Sequence, residues 1–170
     1  MIGAMAILIG ACKKDEDKIQ ANQITFNGEN FELSKGIIES YGHLQGDEAY
    51  NFDVVLLSSG FTVYESEGEP DSVSGIGNAI VMEFYSSDST DIAAGEYKYD
   101  PLRDAFTFDY AEAALDFNAE TEEGTELEIS GGNITVGKSG SNYEFTFSFT
   151  TYDGETLSGY YRGSLTRYDY

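Results

Sequence analysis

Apolar and polar residues alternate along most of this chain with the period of two that a half-buried strand requires. The clearest run is Tyr143, Phe145, Phe147 and Phe149, alternating with Glu144, Thr146 and Ser148. It predicts a long strand with one aromatic face. The predicted partner is 155–166, joined through Tyr152-Asp153-Gly154. A two-residue Asp-Gly loop would set the phenylalanines opposite Ser158, Tyr160 and Arg162. A three-residue turn with Gly154 in the left-handed region sets Phe149 opposite Leu157, Phe147 opposite Gly159, Phe145 opposite Tyr161 and Tyr143 opposite Gly163. The second register gathers the apolar set on one face and turns Tyr160 and Arg162 outward, so it is the one expected.

The same period recurs upstream. Ile24 and Phe26 precede Asn27-Gly28, and Phe31 and Leu33 follow it, which predicts a first hairpin; a second apolar pair stands at Ile37-Ile38. Residues 42–47 read as a loop holding His43. Tyr50, Phe52, Val54 and Leu56 form a half-buried strand that becomes apolar on both sides at Val55 and Leu57. Residues 58–78, rich in Gly, Ser and Glu, read as the longest irregular stretch, with a short edge strand at 61–64. Ile80, Met82 and Phe84 share one face of a further strand. Tyr97-Lys98-Tyr99 leads into Asp100-Pro101. Phe106, Phe108 and Tyr110 alternate, then Ala111, Ala113, Leu115 and Phe117 continue with opposite parity; this is read as strand although its Ala and Glu also suit a helix. Residues 120–126 read as an acidic loop. A two-residue turn at Gly131-Gly132 would place Leu127, Ile129, Ile134 and Val136 on one face, which predicts another hairpin.

These segments give about nine or ten strands joined mostly by short turns. The expectation is an all-β fold: an antiparallel meander closed into a β-barrel, with a β-sandwich as the alternative. Interior-facing glycines favour the barrel because they permit strong curvature.

Composition narrows the picture. The chain has 170 residues, with 31 Asp and Glu against 9 Lys and Arg for a formal net charge of -22. That field repels nucleic acid and excludes binding of a phosphate backbone. With 41% apolar residues and regularly spaced aromatics the chain is not a disordered acidic tail. A single cysteine leaves no disulfide framework.

The N-terminus carries the strongest local signal. Met1 to Ala11 is an apolar run too short to span a bilayer, ending in the small pair Gly10-Ala11 and followed by the only cysteine. Ile9-Gly10-Ala11-Cys12 resembles a bacterial lipobox, which implies acylation of Cys12 and cleavage before it. No Lys or Arg precedes the apolar core, so 1–11 reads as a truncated signal peptide. Lys13-Lys14-Asp15-Glu16-Asp17 resembles the tether that follows the acylated cysteine in surface-exported lipoproteins of Bacteroidota. The expected organisation is therefore a signal peptide at 1–11, an acylated cysteine and acidic tether at 12–23, and one all-β domain at 24–170. The pattern across that domain is similar to the small calycin-like, or lipocalin-like, domains of such lipoproteins. The resemblance implies a cell-surface protein of the outer membrane, held to the membrane through Cys12.

Candidate chemistry is sparse. One histidine and one cysteine make neither a nucleophilic triad nor a zinc site, and Gly75-Ile76-Gly77 lacks the helix and lysine of a phosphate loop. No cofactor is implied. Glu65, Glu67, Glu69 and Asp71, or Glu120, Glu122 and Glu123, offer oxygens for calcium without the spacing of an EF-hand. Tyr160 and Tyr168, together with Arg162, are candidate ligand contacts, since tyrosine rings stack on sugar faces. The expected function is non-enzymatic binding of a small molecule, a glycan or a protein partner. The alternatives are an envelope hydrolase using loop carboxylates and a structural subunit of a surface complex.

Overall fold

A computed structural model describes residues 20–43 and 48–170. The lipobox, Cys12 and the tether Lys13 to Asp17 lie outside the described residues, as do residues 44–47 of the expected loop around His43.

The described chain is all-β, with twelve strands. They are β1 (Gln23–Phe26), β2 (Glu29–Glu32), β3 (Lys35–His43), β4 (Tyr50–Leu57), β5 (Phe61–Ser66), β6 (Glu69–Ser86), β7 (Gly95–Tyr99), β8 (Thr107–Asn118), β9 (Glu123–Ser139), β10 (Asn142–Thr151), β11 (Thr156–Gly163) and β12 (Leu165–Asp169). Eleven follow one hydrogen-bonded path, β12-β3-β4-β6-β8-β7-β9-β10-β11-β1-β2, and β5 pairs only with β6. The sheet curls strongly into a half-barrel. It departs from the expected meander in three ways: the β1–β2 hairpin lies beside β11 instead of β3, β12 runs parallel to β3, and β7 wedges in beside β8, also parallel.

The β10–β11 ribbon has the register expected from the bulged turn, pairing Phe149 with Leu157, Phe147 with Gly159, Phe145 with Tyr161 and Tyr143 with Gly163. Gly154 has φ 80°. A Cβ at Gly159 would lie 2.2 Å from the Phe147 ring, so glycine there admits the aromatic across the strand. At Gly163 the obstructing group is instead the hydroxyl of Tyr161, at 2.6 Å. Asn27 and Gly28 have φ 51° and 81°, the pair of positive values that a type I′ hairpin needs.

Four expectations are corrected. Gly131-Gly132 makes no hairpin: β9 runs straight through it, and the register against β10 shifts there, with Gly131 opposite Thr150 and Ile129 opposite Thr151. A bulge and a two-residue turn flip side-chain parity alike, so Leu127, Ile129, Ile134 and Val136 are all buried either way. The stretch 58–78 is not irregular. The short edge strand expected at 61–64 is β5, and with the first part of β6 it forms a hairpin turned by Glu67 (φ 58°) and Gly68 (φ 90°). The acidic loop shrinks to residues 119–122, because Glu123 and Glu126 belong to β9. His43 ends β3 opposite Tyr50 rather than sitting in a loop, and it is exposed as expected.

The parity switch in β8 has a physical cause as well. Glu83 pairs with Tyr110 but Phe84 pairs with Phe108, so Asp109 is an extra residue and the strand changes face. Phe108, Ala111, Ala113 and Leu115 are consequently all buried.

The concave side of the half-barrel is filled. Phe84 meets Tyr97 and Phe145 at 5.1 and 5.9 Å, and Phe108 and Phe147 both pack on Phe149, at 5.4 and 5.3 Å. Such offset and edge contacts suit aromatic rings. Ile24, Phe52, Val54, Leu56, Ile80 and Met82 are fully buried around them.

Candidate functional site

The site lies on the opposite, outer face of the sheet. A strand buried on one side alternates cleanly; β3, β4 and β6 carry apolar residues on both faces, and on the second face two rows of them lie in register. Ile37 faces Val55, Val55 faces Val81, and in the next row Leu57 faces Ala79 and Ala79 faces Ala114. This is the floor of a groove.

The roof is the β5–β6 hairpin. β6 is 18 residues long and serves three partners: its first part pairs with β5 and its second with β4 and β8. At the junction the chain crosses itself backbone on backbone. A Cβ at Gly60 would lie 2.0 Å from the carbonyl oxygen of Ile76, and one at Gly75, where φ is 104°, would lie 2.3 Å from that of Gly60. Only glycine tolerates both the approach and the positive φ. Phe61 is buried at this base, and the Lys35 ammonium donates to its carbonyl oxygen. The arm therefore lies over the sheet, with Phe61, Val63, Pro70 and Val73 facing the floor across a cavity of about 430 Å³ that Phe117 and Glu126 also line.

The charged residues lining the groove, Glu39, Asp71 and Glu126, are all acidic. Glu39 belongs to a third cross-strand row, one pleat or about 7 Å along the strands from the row of Ile37, Val55 and Val81. In that row Glu39 faces Asp53 and Asp53 faces Glu83. Directly opposed like charges are destabilising. Glu83 is held by the Asn51 amide and the Tyr85 hydroxyl, each donating at 2.8 Å. The Tyr170 hydroxyl donates to Glu39 at 3.0 Å, and the ring of Tyr170 stacks on Tyr41 at 5.2 Å. Asp53 Oδ1 is buried with no hydrogen-bond partner among the described residues. Burial, then Glu83, Glu39 and Asp109, push its carboxyl up to about 7. Burial and the bond to Glu83 likewise raise the Tyr85 phenol.

The residues singled out from sequence are dispersed. Glu65 is on β5, Glu67 in the hairpin turn, and Glu69 and Asp71 on β6, strung along the arm. Glu120 and Glu122 lie in the β8–β9 turn and Glu123 begins β9; the Glu120 carboxylate accepts from the amide of Gly75 at 3.0 Å and ties the arm's base down. Among the described residues no three His, Cys, Asp or Glu side chains converge to hold a metal ion. Arg162 points outward and is exposed, 3.8 Å from Glu144. Tyr160 shares that outer parity but is not an exposed ring: it is 7% exposed, under Glu144 and Arg162 and opposite Gln23 and Thr146. Tyr168, on β12, is half-buried, and its hydroxyl donates to Glu65. It borders the groove region through Lys35, Ile37 and Val63, away from the partners of Tyr160.

The groove floor was missed as a site, and its signal was present. Val55 and Leu57 beside Leu56, and Ile37 beside Ile38, are apolar runs in strands that should alternate.

Comparison with known proteins returns no matching family, no similar curated protein and no similar solved structure.

Proposed function

We propose that this chain is a lipid-anchored outer-membrane protein, carried to the cell surface on acylated Cys12 and its Lys13 to Asp17 tether, whose β domain binds a small apolar ligand without transforming it. The domain is read as a calycin-like curl adapted so that its ligand sits outside rather than within. The observation that carries this reading is the groove of about 430 Å³ between the sheet and the β5–β6 arm, walled by Ile37, Val55, Leu57, Phe61, Val63 and Val81. Its volume falls in the range of small-molecule sites. Apolar concavities exposed on a strongly charged surface mark binding sites, since an idle one carries only a solubility cost. The aromatic filling of the concave side argues against a ligand there.

An envelope hydrolase is the second reading, and Asp53 favours it, because a carboxyl with its pKa near 7 suits general-acid catalysis. Binding is preferred because Asp53 and Glu83 stand side by side on neighbouring strands, not across a cleft.

Ala79 provides the test. It lies on the floor, off the core side, so Ala79→Phe fills the groove while leaving the aromatic core intact. An environment-sensitive apolar dye is expected to bind the full chain carrying Cys12→Ser and to lose at least about tenfold in affinity on adding Ala79→Phe. Dye binding that is indifferent to Ala79→Phe overturns the groove as the site.

A further inference from the structure

We propose that the groove's ligand is a cationic amphiphile: a small molecule with an apolar body that lies between arm and sheet and an ammonium head that rests at the Glu39 end. This rests on the groove reading above and names the class of ligand. Among the described residues every charged side chain lining the cavity is a carboxylate. Glu39 is moreover the last acid of the row Glu39, Asp53, Glu83, which aligns three acidic side chains on neighbouring strands and continues on β12 with the uncharged Tyr168. That alignment disfavours the empty sheet, and a cation beside Glu39 relieves it, so the interaction is made mainly on binding. Tyr41 and Tyr170 are both exposed beside Glu39 and offer ring faces of the kind that attract organic cations. A fatty acid has the right body and the wrong head, because its carboxylate would join the acidic row and meet the field of a chain with net charge -22.

Three probes that share a ten-carbon chain separate body from head: decyltrimethylammonium, decyl maltoside and decanoate, each titrated calorimetrically below its micelle concentration into the full chain carrying Cys12→Ser. The ammonium is expected to bind at least about tenfold tighter than the maltoside, with decanoate weakest. Glu39→Gln should erase most of the ammonium's advantage over the maltoside, and an unchanged far-ultraviolet circular dichroism spectrum shows that the variant is folded. Ala79→Phe should abolish binding of all three. Equal affinities for ammonium and maltoside, or tighter binding of decanoate, overturn the cationic ligand and leave the groove standing. Ammonium binding that survives Ala79→Phe is adsorption to an acidic surface and overturns it too. Failure of all three probes overturns the groove reading itself.

Discussion

Asp53 faces Glu39 from β3 and Glu83 from β6, while Asp109 approaches from β8 with the Arg103 guanidinium at 2.8 Å on its other oxygen. Burial first and these carboxylates second raise the Asp53 pKa to about 7, against an ordinary 3.8. The folded chain therefore holds a proton that the unfolded chain has released between those two values, so this residue's contribution to stability is full below about pH 4, falls as pH rises towards 7, and is flat above. Asp53→Asn keeps the shape of the protonated acid and removes the penalty of ionising it. In urea unfolding the variant is expected to exceed wild type by about 2 kcal/mol at pH 8, after allowing for solvent screening, and to converge with it near pH 4. A stability gap that does not change with pH would rule out this ionisation. None of this was legible in the sequence, where Asp53 is one polar position in an alternating run. The acids that oppose it are fixed by the order β3-β4-β6, which brings together residues 39, 53 and 83.

At the scale of elements, legibility followed how much of each strand's pattern was dictated by one buried face. The β10–β11 register was legible because four aromatics on one strand and two glycines on the other admit one apolar solution. Of the β5–β6 arm only the edge strand at 61–64 was legible, because the rest of a two-stranded ribbon lying off the main sheet carries few apolar residues and its Ser, Gly and Glu read as loop. The Gly131-Gly132 error has a different source: a bulge and a tight turn produce the same parity flip, and only the partner strand decides between them. The two glycines discriminate directly. In β9, Gly132 has φ 132° and a Cβ there would lie 2.3 Å from the carbonyl oxygen of Ser148, whereas a Cβ at Gly131 meets nothing within 4 Å. Gly132→Ala should cost about 2–3 kcal/mol in thermal or urea unfolding, and Gly131→Ala within about 0.5 kcal/mol. A type I′ turn would demand positive φ at both, so equal and large costs would favour the hairpin instead.

For the whole molecule, the filled concave side and the apolar outer groove divide the two faces of one curled sheet between stability and the proposed binding, and the proposed anchor would decide which surroundings the groove meets. The apolar run ending at Ala11, then Cys12, then Lys13 to Asp17, passes within a few residues from membrane-compatible to fully solvated chemistry. This expectation rests on local chemistry alone and needs no tertiary partner, and its residues lie outside those the structure describes. A single acyl chain holds a protein only marginally, whereas a cysteine bearing a diacylglyceryl group and an amide-linked chain is durably attached. Wild type expressed in a bacterial host is therefore expected to take up a clickable fatty acid, to fractionate with outer membranes and to be cleaved by protease added to intact cells. Cys12→Ser should lose the label and the membrane fraction together. Labelling that persists in Cys12→Ser would remove this residue as the anchor, and labelled protein that resists external protease would keep the anchor but turn the groove towards the periplasm, where its ligand would have to be sought.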